Sequence, residues 1–130
     1  MQEENIKRFN KVYGAIGEKI VSEYLEKLEY RVVEKNYKNF LGEIDIICTK
    51  KVNKEVLYVF VEVKYRNSKK FGLPREAVTK QKQKTIKKVA SYYLKCKGLF
   101  NKVLVRFDCL EVLGGVEGSE PEVNLIENAF

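Results

Sequence analysis

Three charged residues interrupt otherwise apolar segments: Asp45, Glu62 and Lys64. Glu62 and Lys64 break the run VLYVFVEVKY, and Asp45 breaks GEIDII. Charges in such surroundings are costly unless counter-charges, hydrogen bonds or a metal compensate them. Two carboxylates and a lysine brought together have a definite chemical use. A hard cation such as Mg2+, with Mn2+ as a substitute, takes carboxylate and carbonyl oxygens and keeps waters for substrate and nucleophile. It lowers the pKa of a bound water and neutralises charge on a phosphate under attack. A lysine beside it can orient that water, act as a base or stabilise the transition state.

The composition narrows the choice further. Histidine is absent, which excludes Ser-His-Asp and Cys-His catalysis, His-ligated metals and an imidazole base. Cys48, Cys96 and Cys109 are isolated and odd in number, each within an apolar pattern. They read as reduced, small core residues rather than as a zinc or redox set. Lys and Arg outnumber Asp and Glu by 25 to 18, giving +7 and a pI near 9.2. That excess favours a polyanionic partner such as nucleic acid. No apolar run approaches the roughly 18 residues that span a bilayer. The N-terminal MQEENIKRFNK lacks the apolar stretch of a secretory signal, so a cytoplasmic protein with no membrane partner is expected.

The elements that must position these residues follow from periodicity. The 130 residues, 45% of them hydrophobic, suit one domain over 1–130. From Val12 to Leu28 a helical pattern puts Tyr13, Ile16, Ile20, Val21, Tyr24, Leu25 and Leu28 on one face. Gly17 sits within that face, where a missing side chain admits another backbone, and Glu18 lies at its edge. Strands are expected over Tyr30–Tyr37, Glu43–Cys48 and Val56–Tyr65, with a turn at Asn39–Gly42 and a polar connection at Thr49–Glu55. That short connection implies an antiparallel hairpin, with Asp45 within roughly three positions of Glu62 across it. On the third strand Glu62 and Lys64 share a face with Tyr58 and Phe60, opposite Leu57, Val59, Val61 and Val63. A strand this apolar is expected to be central and covered on both sides.

After a loop with Gly72 and Pro74, a second helix is expected over Arg75–Lys95, stopped by Gly98. Its buried face comprises Val78, Ile86, Val89, Ala90 and Tyr93, with Lys82 near the centre of that stripe. A fourth strand at Lys102–Leu113 and a short apolar piece at Val123–Ile126 complete the chain. The expected fold is α/β, a central mixed sheet flanked by helices in the order α-β-β-β-α-β.

Together the motifs resemble the PD-(D/E)XK, or restriction-endonuclease-like, nucleases. More narrowly, GEKIVSEYL, GEIDII, VFVEVKYR, FGLPREAV, the lysine-rich helix, Arg106-Phe107-Asp108 and the closing IENAF resemble the YraN-like family of uncharacterised proteins. That family is similar in turn to archaeal Holliday-junction resolvases, which act as dimers on branched DNA. The resemblance implies that Asp45 and Glu62 hold the metal, with the Val63 carbonyl as a further ligand. It makes Lys64 the catalytic lysine and Glu18 an outer acidic residue acting directly or through water. Glu43 belongs to the pattern without an assigned role, and Ile44 stands where the literal motif has proline.

Nucleic-acid contacts are expected from Arg66, Lys69, Lys70, Lys80, Lys82, Lys84, Lys87 and Lys88 through counterion release. The plain alternatives are an ion pair decorating a strand for Glu62 and Lys64, and solvated helix faces for Glu18 and the lysines. For Lys82, reaching back to the site and snorkelling to solvent are both open. The expected activity is Mg2+-dependent endonucleolytic hydrolysis of DNA, in branched or single-stranded substrates, by a chain that would dimerise to make paired cuts. The rival expectation is a non-catalytic nucleic-acid-binding module or adaptor that retains the nuclease fold.

Overall fold

The computed structural model describes residues 17–66, 78–114 and 121–130. Helix α1 covers residues 17–27. It is followed by β1 (Arg31–Asn39), β2 (Gly42–Val52) and β3 (Glu55–Arg66). Helix α2 (Lys80–Cys96) leads to β4 (Leu104–Leu113) and β5 (Glu122–Ile126). The strands form one sheet in the order β1-β2-β3-β4-β5. All pairs are antiparallel except β3 with β4, where α2 supplies the crossover that a parallel pair requires. The architecture is the expected α/β layer, with one strand more: Val123–Ile126 lies within β5, which zips onto β4 through Cys109 opposite Ile126 and Leu113 opposite Glu122.

Each helix covers one face of the sheet. On one side Val21 and Leu25 of α1 pack with Ile46, Cys48, Val59, Val61, Leu110 and Val112. On the other, Ile86, Val89, Ala90, Tyr93 and Leu94 of α2 pack with Ile44, Ile47, Phe60 and Cys109. β3 is therefore buried on both faces, as its unbroken apolar sequence requires. Leu57, Val59, Val61 and Val63 face α1, while Tyr58 and Phe60 face α2.

Several local expectations are corrected. The polar residues Thr49–Val52 continue β2 instead of forming a loop, and the hairpin closes on a two-residue turn at Asn53 and Lys54. Asn53 adopts φ 58 there, a left-handed conformation that asparagine tolerates. Helix α2 starts at Lys80, with Val78 and Thr79 outside it, because the Thr79 side chain accepts the Lys82 backbone N–H and caps the first turn. Leu28 lies past the end of α1 and is exposed. The space at Gly17 is filled by a ring rather than a backbone: an added Cβ would stand 3.2 Å from Tyr65 Cε1. Cys48 and Cys109 are buried and free, but Cys96 is exposed. Burial pushes the Cys48 and Cys109 thiols up to about 12, so they are inert at neutral pH. Tyr13, Ile16, Gly72, Pro74 and Arg75 lie outside the described residues.

Candidate active site

The site forms where β2 and β3 part. Their pairing runs from Val52 opposite Glu55 to Ile46 opposite Val61. One step further along, Asp45 and Glu62 are the next residues on the two strands. There the backbone ladder gives way to a side chain, as the Val63 N–H donates to Asp45 Oδ2 at 2.8 Å. A kink in β1 lies alongside. Asn36, between Lys35 opposite Ile46 and Tyr37 opposite Ile44, adopts φ 50. Across this point Ile44 packs with α2 and Ile46 with α1, although residues two apart on a regular strand share a face. The strand thus rotates at Asp45, and its carboxylate is directed toward β3.

Glu62 is 5% exposed, and two ammonium groups face one of its oxygens. Lys64 Nζ and Lys82 Nζ each lie 3.6 Å from Oε1. Burial, reinforced by the neighbouring Asp45 charge, raises the Glu62 pKa to about 7 against the opposing effect of Lys82 and Lys64. Burial likewise raises Asp45, opposed by the Val63 N–H and Lys82. Two buried carboxylates, one of which raises the pKa of the other, are the electrostatic condition that a divalent cation relieves. The donor set fits one: Asp45, Glu62 and the Val63 carbonyl are hard oxygen donors, suited to Mg2+ or Mn2+ rather than to a soft metal. Among the described residues no group of three or more acidic, Cys or His side chains converges. The remaining positions would therefore fall to water and substrate, as is usual for Mg2+.

Asp45, Glu62 and Lys64 line one cleft of about 310 Å3 together with Glu18 of α1. Glu18 is exposed and stands close enough, with Asp45, to reinforce the upward shift that burial gives Tyr65. Lys35, Asn36 and Tyr65 also line this cleft, and none was singled out from sequence. Asn36 carried a signal, since asparagine is disfavoured within a strand and tolerates a left-handed backbone. Lys82 reaches back to the site from α2.

The other basic residues are placed differently. At about 100° per residue, Lys80, Lys84 and Lys88 point away from the buried stripe of α2 and Lys87 flanks it, and all four are exposed. Lys87 leans back so that its ammonium is 5.7 Å from the Phe107 ring centre. Arg66, grouped with the surface cations from sequence, is instead buried at 9% exposure and pairs with Leu113 of β4. It ends a strand covered on both faces. Lys69 and Lys70 lie outside the described residues. Tyr93 is a core residue, while the exposed Tyr92 meets Phe40 edge to face at 4.9 Å.

A second acidic position escaped functional reading. Asp108 is fully buried and is gripped by Arg106, with Nε and Nη2 each 2.8 Å from a carboxylate oxygen. Asn128 N–H donates to it at 2.9 Å, and Arg106 also donates to the Tyr30 hydroxyl. This network ties the final residues and the start of β1 to β4.

A mixed sheet between helices, with an Asp and a Glu-x-Lys meeting at the opening of a hairpin, has the arrangement of an endonuclease-like fold. Within it, the model of a family described as "Uncharacterised protein family UPF0102" matches residues 17–112, and the chain belongs to that family. A UPF0102 protein of Clostridium beijerinckii is 45% identical over 125 residues, covering 96% of this chain and 98% of that protein. One of Alkaliphilus metalliredigens is 46% identical over 121 residues, covering 93% and 99%. Among the described residues no helix is long and apolar enough to cross a membrane.

Proposed function

We propose that this chain is a divalent-metal-dependent endonuclease that hydrolyses phosphodiester bonds in branched or single-stranded DNA. The observation that carries the reading is the meeting of Asp45, Glu62 and Lys64 in one cleft, where the β2–β3 ladder opens. Asp45 and Glu62, with the Val63 carbonyl, would hold Mg2+ or Mn2+. When bound, the ion supplies a more acidic water and neutralises charge on the scissile phosphate. The protein's own contribution is positional. The Val63 N–H fixes the Asp45 carboxylate, leaving its second oxygen for the ion. Lys64 extends from the same strand as Glu62, where its ammonium can orient the attacking water and stabilise charge on the phosphate. Glu18 faces the cleft from α1 and would order water at its rim. The outward lysines of α2 and the net charge of +7 favour a polyanion. Paired cuts in a junction would require a homodimer.

The test is cleavage of labelled linear, single-stranded, flapped and four-way-junction DNA with Mg2+, Mn2+ or EDTA, beside an Asp45→Ala/Glu62→Ala protein. Metal-dependent cutting that disappears in the double variant is the expected result. Binding without cutting under every metal condition would replace the enzyme with a nucleic-acid-binding module that keeps the fold.

A further inference from the structure

Glu62 shares one carboxylate oxygen between two ammonium groups, Lys64 and Lys82, each at 3.6 Å. Both separations exceed the roughly 2.7–3.2 Å of a short, directed N–H···O bond, so both contacts are ion pairs at the long end of hydrogen-bond reach. The two lysines differ in origin and freedom. Lys64 is tethered two residues from Glu62 on β3, and its side chain is 23% exposed. Lys82 arrives from α2, in the layer packed on that face, with its side chain 42% exposed. Its backbone is held by the Thr79 cap, but its long aliphatic stem can swing from a fixed base. Of the lysines on α2, Lys82 sets its ammonium against Glu62, while Lys80, Lys84 and Lys88 point outward.

We propose that Lys82 is a place-holding counter-ion. Its ammonium neutralises the Asp45–Glu62 pair in the metal-free protein, leaves when a divalent cation enters, and then engages a phosphate of the bound DNA. The inference rests on the metal site proposed above and adds a coupling between metal and substrate. Lys64 and Lys82 offset much of the charge that Asp45 and Glu62 would otherwise present to a dication. Adding the ion leaves the cleft positive until a phosphate arrives, so metal alone binds weakly and metal with DNA binds well. By linkage, DNA then binds more tightly with metal than without it. Lys82 competes with the metal for Glu62 but cooperates with it for phosphate, and a merely structural lysine would do neither.

The decisive experiment is calorimetric titration of Mn2+ into the full chain, its Lys82→Met and Lys82→Arg variants, and the Asp45→Ala/Glu62→Ala protein. Methionine keeps the length and apolarity of the stem while removing the charge. Lys82→Met should bind Mn2+ about tenfold more tightly, the effect of removing one like charge near a dication in a solvent-accessible cleft. Lys82→Arg should stay near the wild type. With Ca2+ present, a fluorescent single-stranded oligodeoxynucleotide should bind Lys82→Met about threefold to tenfold more weakly, as expected for one lost phosphate contact. Unchanged or weaker Mn2+ binding in Lys82→Met, with the wild type still binding, would overturn the place-holder and leave the metal site standing. Tighter Mn2+ with unchanged oligonucleotide binding would overturn the hand-over to phosphate. No Mn2+ heat lost in the double alanine variant would remove the metal site itself, and the place-holder with it.

Discussion

Two of the buried acids in the sheet, Asp108 and Glu62, are treated in opposite ways. Asp108 receives a two-pronged grip from Arg106 at 2.8 Å and a backbone N–H from Asn128 at 2.9 Å. Each of its oxygens has short, directed partners, and the hydrogen bonds to Asp108 in turn hold the Arg106 guanidinium firmly protonated. Glu62 is nearly as enclosed but has two lysines at 3.6 Å and an acidic neighbour that raises its pKa. A carboxylate serving the fold is saturated by fixed donors. Glu62, proposed to hold a metal, has only longer contacts to ammonium groups, an arrangement that costs stability. The contrast between tight and loose compensation separates structural from candidate catalytic acids more sharply than burial does.

Substitution should divide the two regions cleanly. Glu62→Ala should lower the cleavage rate at least about 1,000-fold, equivalent to about 4 kcal/mol, if the residue holds the metal. Its melting temperature should not fall, since a poorly compensated buried charge is removed. Single-turnover kinetics and a thermal melt check both halves. Asp108→Asn should do the reverse, destabilising the chain by about 3 kcal/mol because Arg106 is left facing a neutral amide. Urea denaturation measures that loss, and the cleavage rate per folded molecule should be retained.

A pH series sharpens the same contrast. Glu62 ionises near the ordinary glutamate value of 4.5 when unfolded and at about 7 when folded. Between those values the folded state binds more protons, so stability falls as pH rises through this window. The contribution is about 2 kcal/mol at most between pH 5 and pH 8, and smaller where the chain relaxes. Denaturation of metal-free protein should show this decline, and Glu62→Gln should flatten it. An unchanged slope in the glutamine variant would assign the decline to another group. The smallest effect is expected at the base of Lys82: Thr79→Ala removes the α2 cap and should cost about 1 kcal/mol, read from the melt.

The comparison also bears on what could be read from the chain. Glu62 and Lys64 stood out because β3 is apolar on both faces, so any charge there violates the pattern. The short connection implied the hairpin and put Asp45 within roughly three positions of Glu62, while the register itself was set only by the pairing of Val52 with Glu55. The rotation of β2 at Asp45 was not legible, because it lies opposite a left-handed residue, Asn36, in a different strand. Nor was the burial of Arg66, which pairs with Leu113 of a strand distant in sequence. Thr49–Val52 misled because polar residues usually mark loops, whereas here they prolong a ribbon with exposed edges. At Lys82 two rotamer choices were open until α2 had been placed over the sheet. Arg106 and Asp108 were visible as a motif, but their partners Tyr30 and Asn128 are far away in sequence.

The narrow turn at Asn53 and Lys54 has a consequence for the order of assembly. The Asp45–Val63 bond spans 18 residues, whereas the Arg106–Tyr30 bond spans 76. Short loops close at lower entropic cost, and local hairpins form in about 1–10 μs. During folding the two site acids therefore meet early, before β3 and β4 have paired in parallel and before α2 delivers Lys82. At neutral pH their repulsion opposes the nascent hairpin, which a divalent cation or mild acid would favour. The acids proposed to hold the metal would thus also make formation of this hairpin sensitive to divalent cations and to pH.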